Sequence, residues 1–248
     1  MGNPCVAHRG WSGRAPENTM AAIRLALNEP MVEWIEIDVQ LSKDHIPVVI
    51  HDYWIRRTTD GKGQVKDWTA AELAALDAGS WFSLQYAGEH VPTLEEVLSA
   101  AAGKKKLNIE LKTDGLRYPF IETKVMDLVR YYGMENHVVI TSFYEGVLYR
   151  LRKLSKEVRI GLITDKWRNT LPRELDELES DFLSIGYSRL NNERIDILNE
   201  YHIQTMAWTL NDAKLIRRMM SLDSGIMICT DYPDRYREAV LQQTASVR

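Results

Sequence analysis

The feature that most limits what this chain can become is the alternation of short apolar runs with segments that read as helices. The runs are Cys5–His8, Trp34–Val39, Ile46–Ile50, Leu107–Leu111, Val138–Thr141, Ile160–Ile163, Phe182–Ile185, Thr205–Trp208 and Ile226–Cys229. The candidate helices are Thr19–Leu27, Thr93–Ala101, Ile121–Tyr131, Glu145–Leu154, Leu171–Leu178, Asn192–Glu200, Asp212–Met220 and Tyr232–Leu241. Asn18 or Thr19, Thr93 with Glu96, and Asn211 are the expected caps. Strands and helices at this spacing form parallel βαβ units. One link breaks the rule. Leu41-Ser42-Lys43-Asp44-His45 is too short for a crossover helix, which needs about ten residues. Trp34–Val39 and Ile46–Ile50 should therefore form a hairpin-like excursion. What remains is eight βα units, and 248 residues suit a barrel of roughly 250. The expectation is an α/β fold: a (β/α)8 TIM barrel forming one domain over residues 1–248, with an insertion lobe at about 41–92 after the second strand.

Two runs carry charge where a core should be. In Trp34-Ile35-Glu36-Ile37-Asp38-Val39, period-2 alternation puts Ile35, Ile37 and Val39 on one face and Glu36 and Asp38 on the other. In Leu107-Asn108-Ile109-Glu110-Leu111-Lys112, Asn108, Glu110 and Lys112 share the polar face. The apolar faces should meet the helices, so the polar faces point into the barrel. Bare carboxylates are costly there unless paired or metal-bound. Three acids near one rim call for a hard divalent cation with oxygen ligands. An ion-pair network with Lys112 and Arg9 is the alternative. The ligand spacing usual for zinc is absent.

His8 ends the first run, and His51-Asp52 follows Ile46–Ile50. The excursion can bring both to one rim, where two imidazoles could serve as acid and base near neutral pH. His45, His90, His137 and His202 read as surface residues, and Cys5 and Cys229 as core thiols. Arg9 and Lys112 could hold a phosphate. With a net charge of −4 and a pI near 5.9, no broad basic surface for nucleic acid is expected. No run approaches the roughly 20 apolar residues that span a bilayer. The expected location is cytoplasmic, without stable membrane insertion, and the oligomeric state is open.

His8-Arg9-Gly10, Ala15-Pro16-Glu17-Asn18-Thr19, Glu36-Ile37-Asp38-Val39, the run from Pro47 to His51-Asp52, and Asn108-Ile109-Glu110-Leu111-Lys112 follow one another in this order. Arg57-Thr58-Thr59, Pro92 to Glu96, Ser142-Phe143, Ala207 to Asn211 and Thr230 to Pro233 continue the pattern. Together they resemble the glycerophosphodiester phosphodiesterase family of phosphatidylinositol-phospholipase-C-like barrels. The resemblance implies hydrolysis of a small glycerophosphodiester to sn-glycerol 3-phosphate and an alcohol. It makes His8 and His51 the acid/base pair, and Glu36, Asp38 and Glu110 the ligands of one Mg2+ or Ca2+. Arg9 and Lys112 would hold the phosphate, and Phe143 and Trp208 would line the pocket. The lobe would cover the glycerol end. Alternatives are a phospholipase D-like or lysophospholipase D-like barrel acting on lipid head groups, and a non-catalytic barrel that binds a phosphorylated ligand.

Overall fold

In the computed structural model, which describes residues 2–245, the elements follow one another as β1 (Cys5–His8), α1 (Met20–Asn28), β2 (Val32–Leu41), β3 (Pro47–Val49), α2 (Ala70–Ala74), α3 (Leu94–Ala101), β4 (Lys106–Leu111), α4 (Ile121–Tyr131), β5 (Val138–Ser142), α5 (Glu145–Leu154), β6 (Arg159–Thr164), α6 (Leu171–Glu177), β7 (Phe182–Gly186), α7 (Asn192–Glu200), β8 (Gln204–Trp208), α8 (Ala213–Leu222), β9 (Met227–Thr230) and α9 (Pro233–Ala245). Met1 and residues 246–248 of the predicted domain lie outside the described residues. Parallel pairing runs β1-β2-β4-β5-β6-β7-β8-β9 and closes from β9 back to β1. This is the (β/α)8 barrel. β3 stands outside the ring and pairs antiparallel with β2, Val39 opposite Val49 and Leu41 opposite Pro47.

Alternation divides the core into two layers. Ile35, Ile37, Val39, Leu107, Ile109 and Leu111 pack outward against the helices. Val6, Trp34, Val139, Phe182, Met206, Met227 and Cys229 form a separate cluster, which fills the barrel interior as side chains do in barrels of this size. Asn108 belongs to the inward set. Its Oδ1 accepts from Thr141 Oγ1 at 2.7 Å, so the buried amide is satisfied.

The segment between β2 and α3 has a small core of its own: Val48, Ile50, Ile55, Val65, Ala70, Leu73, Ala78 and Val91. Its helix α2, unforeseen in the sequence reading, starts with a capping box in which Thr69 and Glu72 satisfy each other's backbone N–H groups. Thr19 and Thr93 cap α1 and α3 as expected. Asn211 does not cap α8. Asp212 does, accepting from Lys214 N and Leu215 N. Among the described residues, no helix is long and apolar enough to cross a membrane.

The turn from β1 into α1 depends on Gly10. It has φ +76°, and a Cβ there would lie 2.7 Å from the carbonyl carbon of Ala22 and 2.8 Å from Ile23 N. Those are backbone atoms of α1 and cannot swing aside. Gly10→Ala should lower the unfolding free energy by about 3 kcal/mol, from overpacking and the left-handed penalty together. A denaturant melt with an unchanged midpoint would refute this.

Candidate active site

Strand register alone assembles the acids. His8 pairs with Glu36 across β1–β2, Glu36 with Asn108 and Asp38 with Glu110 across β2–β4. Glu36, Asp38 and Glu110 all point into the barrel, with one carboxylate oxygen from each inside a 4.8 Å span. All three are buried. Burial and the neighbouring charges of Asp38 and Glu110 push the Glu36 carboxyl well above its usual range. Burial and Asp38 push Glu110 up to about 7, against the pull of Lys112. Burial opposes ionisation of Asp38 too, but Arg9 and Lys112 outweigh it and hold that carboxyl well below the usual range. The cluster is electrostatically overfull, and a divalent cation among three oxygens is the natural relief.

The two basic residues are already engaged. Arg9 Nε stands 3.3 Å from Asp38 Oδ2, and its Nη1 donates to Glu17 Oε1 at 2.8 Å. Lys112 Nζ lies 2.8 Å from Glu110 Oε1, 3.7 Å from Asp38 Oδ1 and 3.2 Å from His51 Nε2. The predicted ion-pair network therefore exists, on the same atoms that make the candidate metal site. Arg9 has φ 58°, an uncommon conformation for a residue with a side chain. This conformation turns its backbone N–H onto Glu36 Oε2 at 3.0 Å. Asn18, also left-handed at φ 58°, holds Asp38 twice: Nδ2 donates to Oδ2 at 2.9 Å, and Oδ1 accepts from the Asp38 N–H at 3.3 Å.

Both histidines are backed by a carboxylate. His8 Nδ1 lies 2.6 Å from Asp231 Oδ1, and its Nε2 faces Glu36 Oε2 at 3.9 Å. Asp231 is itself fixed by Asn211, whose Nδ2 donates to Oδ2 and whose Oδ1 accepts the Asp231 N–H at 2.9 Å. His51 Nδ1 lies 2.6 Å from Asp52 Oδ1. Burial, with Arg9 and Lys112 nearby, lowers the His51 pKa although Asp38 and Asp52 pull the other way. A carboxylate on Nδ1 sets the tautomer that leaves Nε2 free to work. Asp52 in turn takes Arg57 Nε on Oδ2 at 2.6 Å, and Arg57 donates to both oxygens of Glu17 at 2.8 Å.

His51 comes from the excursion, not from a barrel strand, so something must carry it to the rim. That residue is Gln40, fully buried on β2. Its Nε2 faces the carbonyls of Ile50, His51 and Asp52 at 2.9, 3.0 and 2.9 Å, and its Oε1 accepts from Tyr118 OH at 2.7 Å.

These side chains surround a cavity of about 140 Å3 whose lining includes His8, Arg9, Glu36, His51, Glu110 and Lys112. Asp38 lies beneath them, 1% exposed. Phe143 and Trp208 also line it, edge to face with ring centroids 6.1 Å apart. Every site residue named from the sequence is thus at one end of the barrel. Cys5 is a buried core thiol, and burial pushes its pKa far up. Cys229 is equally buried but also contributes to the cavity lining. The sequence assigns no role to Asp52, Asp231, Gln40 or Arg57, and to Asn211 only that of a helix cap. For Gln40 a signal was present, because it continues the Glu36, Asp38 alternation by one more step.

Residues 8–235 match the Glycerophosphoryl diester phosphodiesterase family. YhdW of Bacillus subtilis is 39% identical over 233 residues, covering 92% of this chain and 94% of its own. The glycerophosphodiester phosphodiesterase of Caldanaerobacter subterraneus subsp. tengcongensis is 36% identical over 236 residues, with the same two coverages of 92% and 94%. Among solved structures, an Oleispira antarctica phosphodiesterase in complex with the product sn-glycerol-3-phosphate superposes with a TM-score of 0.87 at 30% identity, covering 96% of this chain and 97% of that one. By the extent of these matches, the chain belongs to the glycerophosphoryl diester phosphodiesterase family.

Proposed function

We propose that this protein hydrolyses small glycerophosphodiesters to sn-glycerol 3-phosphate and an alcohol, with a divalent cation on Glu36, Asp38 and Glu110 and with His8 and His51 as the proton carriers. The observation that carries the reading is the meeting of three inward acids and two carboxylate-backed histidines on one small cavity. The ligand set is all oxygen, which favours Mg2+ or Ca2+ over zinc. A cation bound there would act as a Lewis acid on a phosphoryl oxygen.

The protein's own groups divide the remaining work. Arg9 and Lys112 face the phosphate position from the cavity wall and offset its charge. The walled cavity of about 140 Å3, with Phe143 and Trp208 in its lining, suits the invariant glycerol end. A wider groove of about 830 Å3 opens beside it, lined by His51, Asp52, Tyr53, Trp54, Arg56, Arg57 and Lys112. Variable alcohols fit that groove better. This size argument reverses the expectation that the lobe covers the glycerol. His51 borders both spaces and His8 only the first. His51 is then placed to protonate the departing alcohol oxygen, and His8 to take the proton of the nucleophile. The lobe at about 41–92 belongs to the same domain, tied to the barrel through Gln40 and the β2–β3 pairing.

A coupled assay for glycerol 3-phosphate tests the reading. Glycerophosphocholine and glycerophosphoethanolamine, each with Mg2+, Ca2+ or excess chelator, should release product only where a cation is present. Full turnover in chelator would remove the metal from the mechanism. Faster turnover of lysophosphatidylcholine than of either diester would favour the lysophospholipase D reading.

A further inference from the structure

The wider groove carries information about the alcohol. Three cations line it, Arg56, Arg57 and Lys112, against one acid, Asp52. That acid is already engaged by His51 and Arg57. Oδ1 meets His51 Nδ1 at 2.6 Å and Arg57 Nη2 at 3.2 Å, and Oδ2 meets Arg57 Nε at 2.6 Å. Arg57 is held by Asp52 and Glu17, and Lys112 by Glu110. Arg56, exposed on the short turn Ile55–Arg57, forms no salt bridge among the described residues. Next to it, Trp54 is 55% exposed. The neighbouring Tyr53 ring is already covered by Arg117, whose guanidinium carbon lies 4.1 Å from the ring centroid. A quaternary ammonium entering here would find a carboxylate already paired, an occupied tyrosine face and an uncompensated guanidinium, with only the exposed Trp54 ring among the lining residues in its favour.

We propose that this groove is a subsite for an anionic leaving alcohol, one carrying a carboxylate or a second phosphate, and that Arg56 is its specificity-determining cation. The inference rests on the phosphodiesterase reading above. A guanidinium offers a planar fork to a carboxylate or phosphate, and an exposed charge of this kind works mainly through encounter and discrimination between partners.

The test uses the full chain and three diesters of glycerol 3-phosphate: with choline (cationic), glycerol (neutral) and 3-hydroxypropionate (anionic). Release of glycerol 3-phosphate gives kcat/KM for each. The unmodified enzyme should rank anionic above neutral above cationic. The anionic-to-cationic ratio should fall by about tenfold or more in Arg56→Glu, as reversal of one surface charge allows, and should be largely kept in Arg56→Lys. Raising ionic strength from 10 mM to 0.5 M, a change of about 30 Å to under 5 Å in screening length, should compress the ratio in the unmodified enzyme. A preference for choline, or a ratio that Arg56→Glu leaves unchanged, overturns the proposal. Failure to cleave any of the three would instead overturn the phosphodiesterase reading, and the subsite with it.

Discussion

His51→Ala should lose about 10^3-fold or more in turnover of glycerophosphocholine, yet no more than about tenfold with a p-nitrophenyl diester of glycerol 3-phosphate. The difference follows from where the histidine stands. An alkoxide is a poor leaving group and needs a proton as the bond breaks, whereas p-nitrophenol ionises near neutrality and leaves without help. His51 lines both the small cavity and the open groove, with its Nε2 3.2 Å from Lys112 Nζ, and on the proposed reading the departing oxygen leaves past it. On the proposed roles His8, bordering only the cavity, would serve the nucleophile, so His8→Ala should lose about 10^2 to 10^4-fold on both substrates alike. Steady-state kinetics of the two variants on the two diesters decide the matter. The pattern reversed, with His8→Ala rescued by the aryl group, would exchange the roles. Equal losses throughout would mean that neither histidine protonates the leaving group.

What could be read from the sequence, and what could not, follows from the range of the signal. Alternation within a strand is local, so Glu36, Asp38 and Glu110 announced themselves as inward charges, and the register of β2 against β4 did the rest. The short link after Leu41 was equally local, and β3 pairs outside the ring as a connection of that length requires. Asp52, next to His51 in the chain, apart, the residues that orient the histidines are a different case. Asp231 meets His8 across 223 positions, and Arg57 meets Glu17 across 40. No periodicity links such pairs. Asn211 shows the same blind spot from the other side. Beside a helix start it reads as a cap, but closure of the barrel brings Asp231 within its reach, and Asp212 caps α8 instead. Capping chemistry is shared by adjacent Asn and Asp, so only the tertiary demand separates them.

The overfull acid cluster makes a further prediction, in which pH and metal work against each other. Without metal, the Glu110 carboxyl is raised to about 7 by burial and Asp38, from about 4.3 in an unfolded chain. A group raised on folding binds its proton more tightly in the native state. Its favourable contribution is full below the unfolded value and is lost as pH climbs through the native one. Glu36, raised by burial and the same neighbours, acts in the same direction. Asp38 is lowered and acts only in strong acid, where its stabilisation falls away. The chelated protein should therefore lose thermal stability between about pH 5 and pH 8, each unit of displacement being worth about 1.4 kcal/mol. Saturating Mg2+ or Ca2+ should reverse this, because the cation takes the place of the proton. The metal-induced rise in Tm should be small at pH 5.5 and large at pH 8, and log Kd for the metal should fall as pH rises through 7. Glu110→Gln should flatten the chelated profile, abolish most of the metal-induced rise and reduce turnover by about 10^3-fold, the scale on which one transition-state charge contact is felt. Calorimetric melts with and without chelator across this pH range measure all of it. A metal shift independent of pH would show that the acids are already ionised without the cation, and the cluster would then be an ion-pair network first and a metal site only by coincidence.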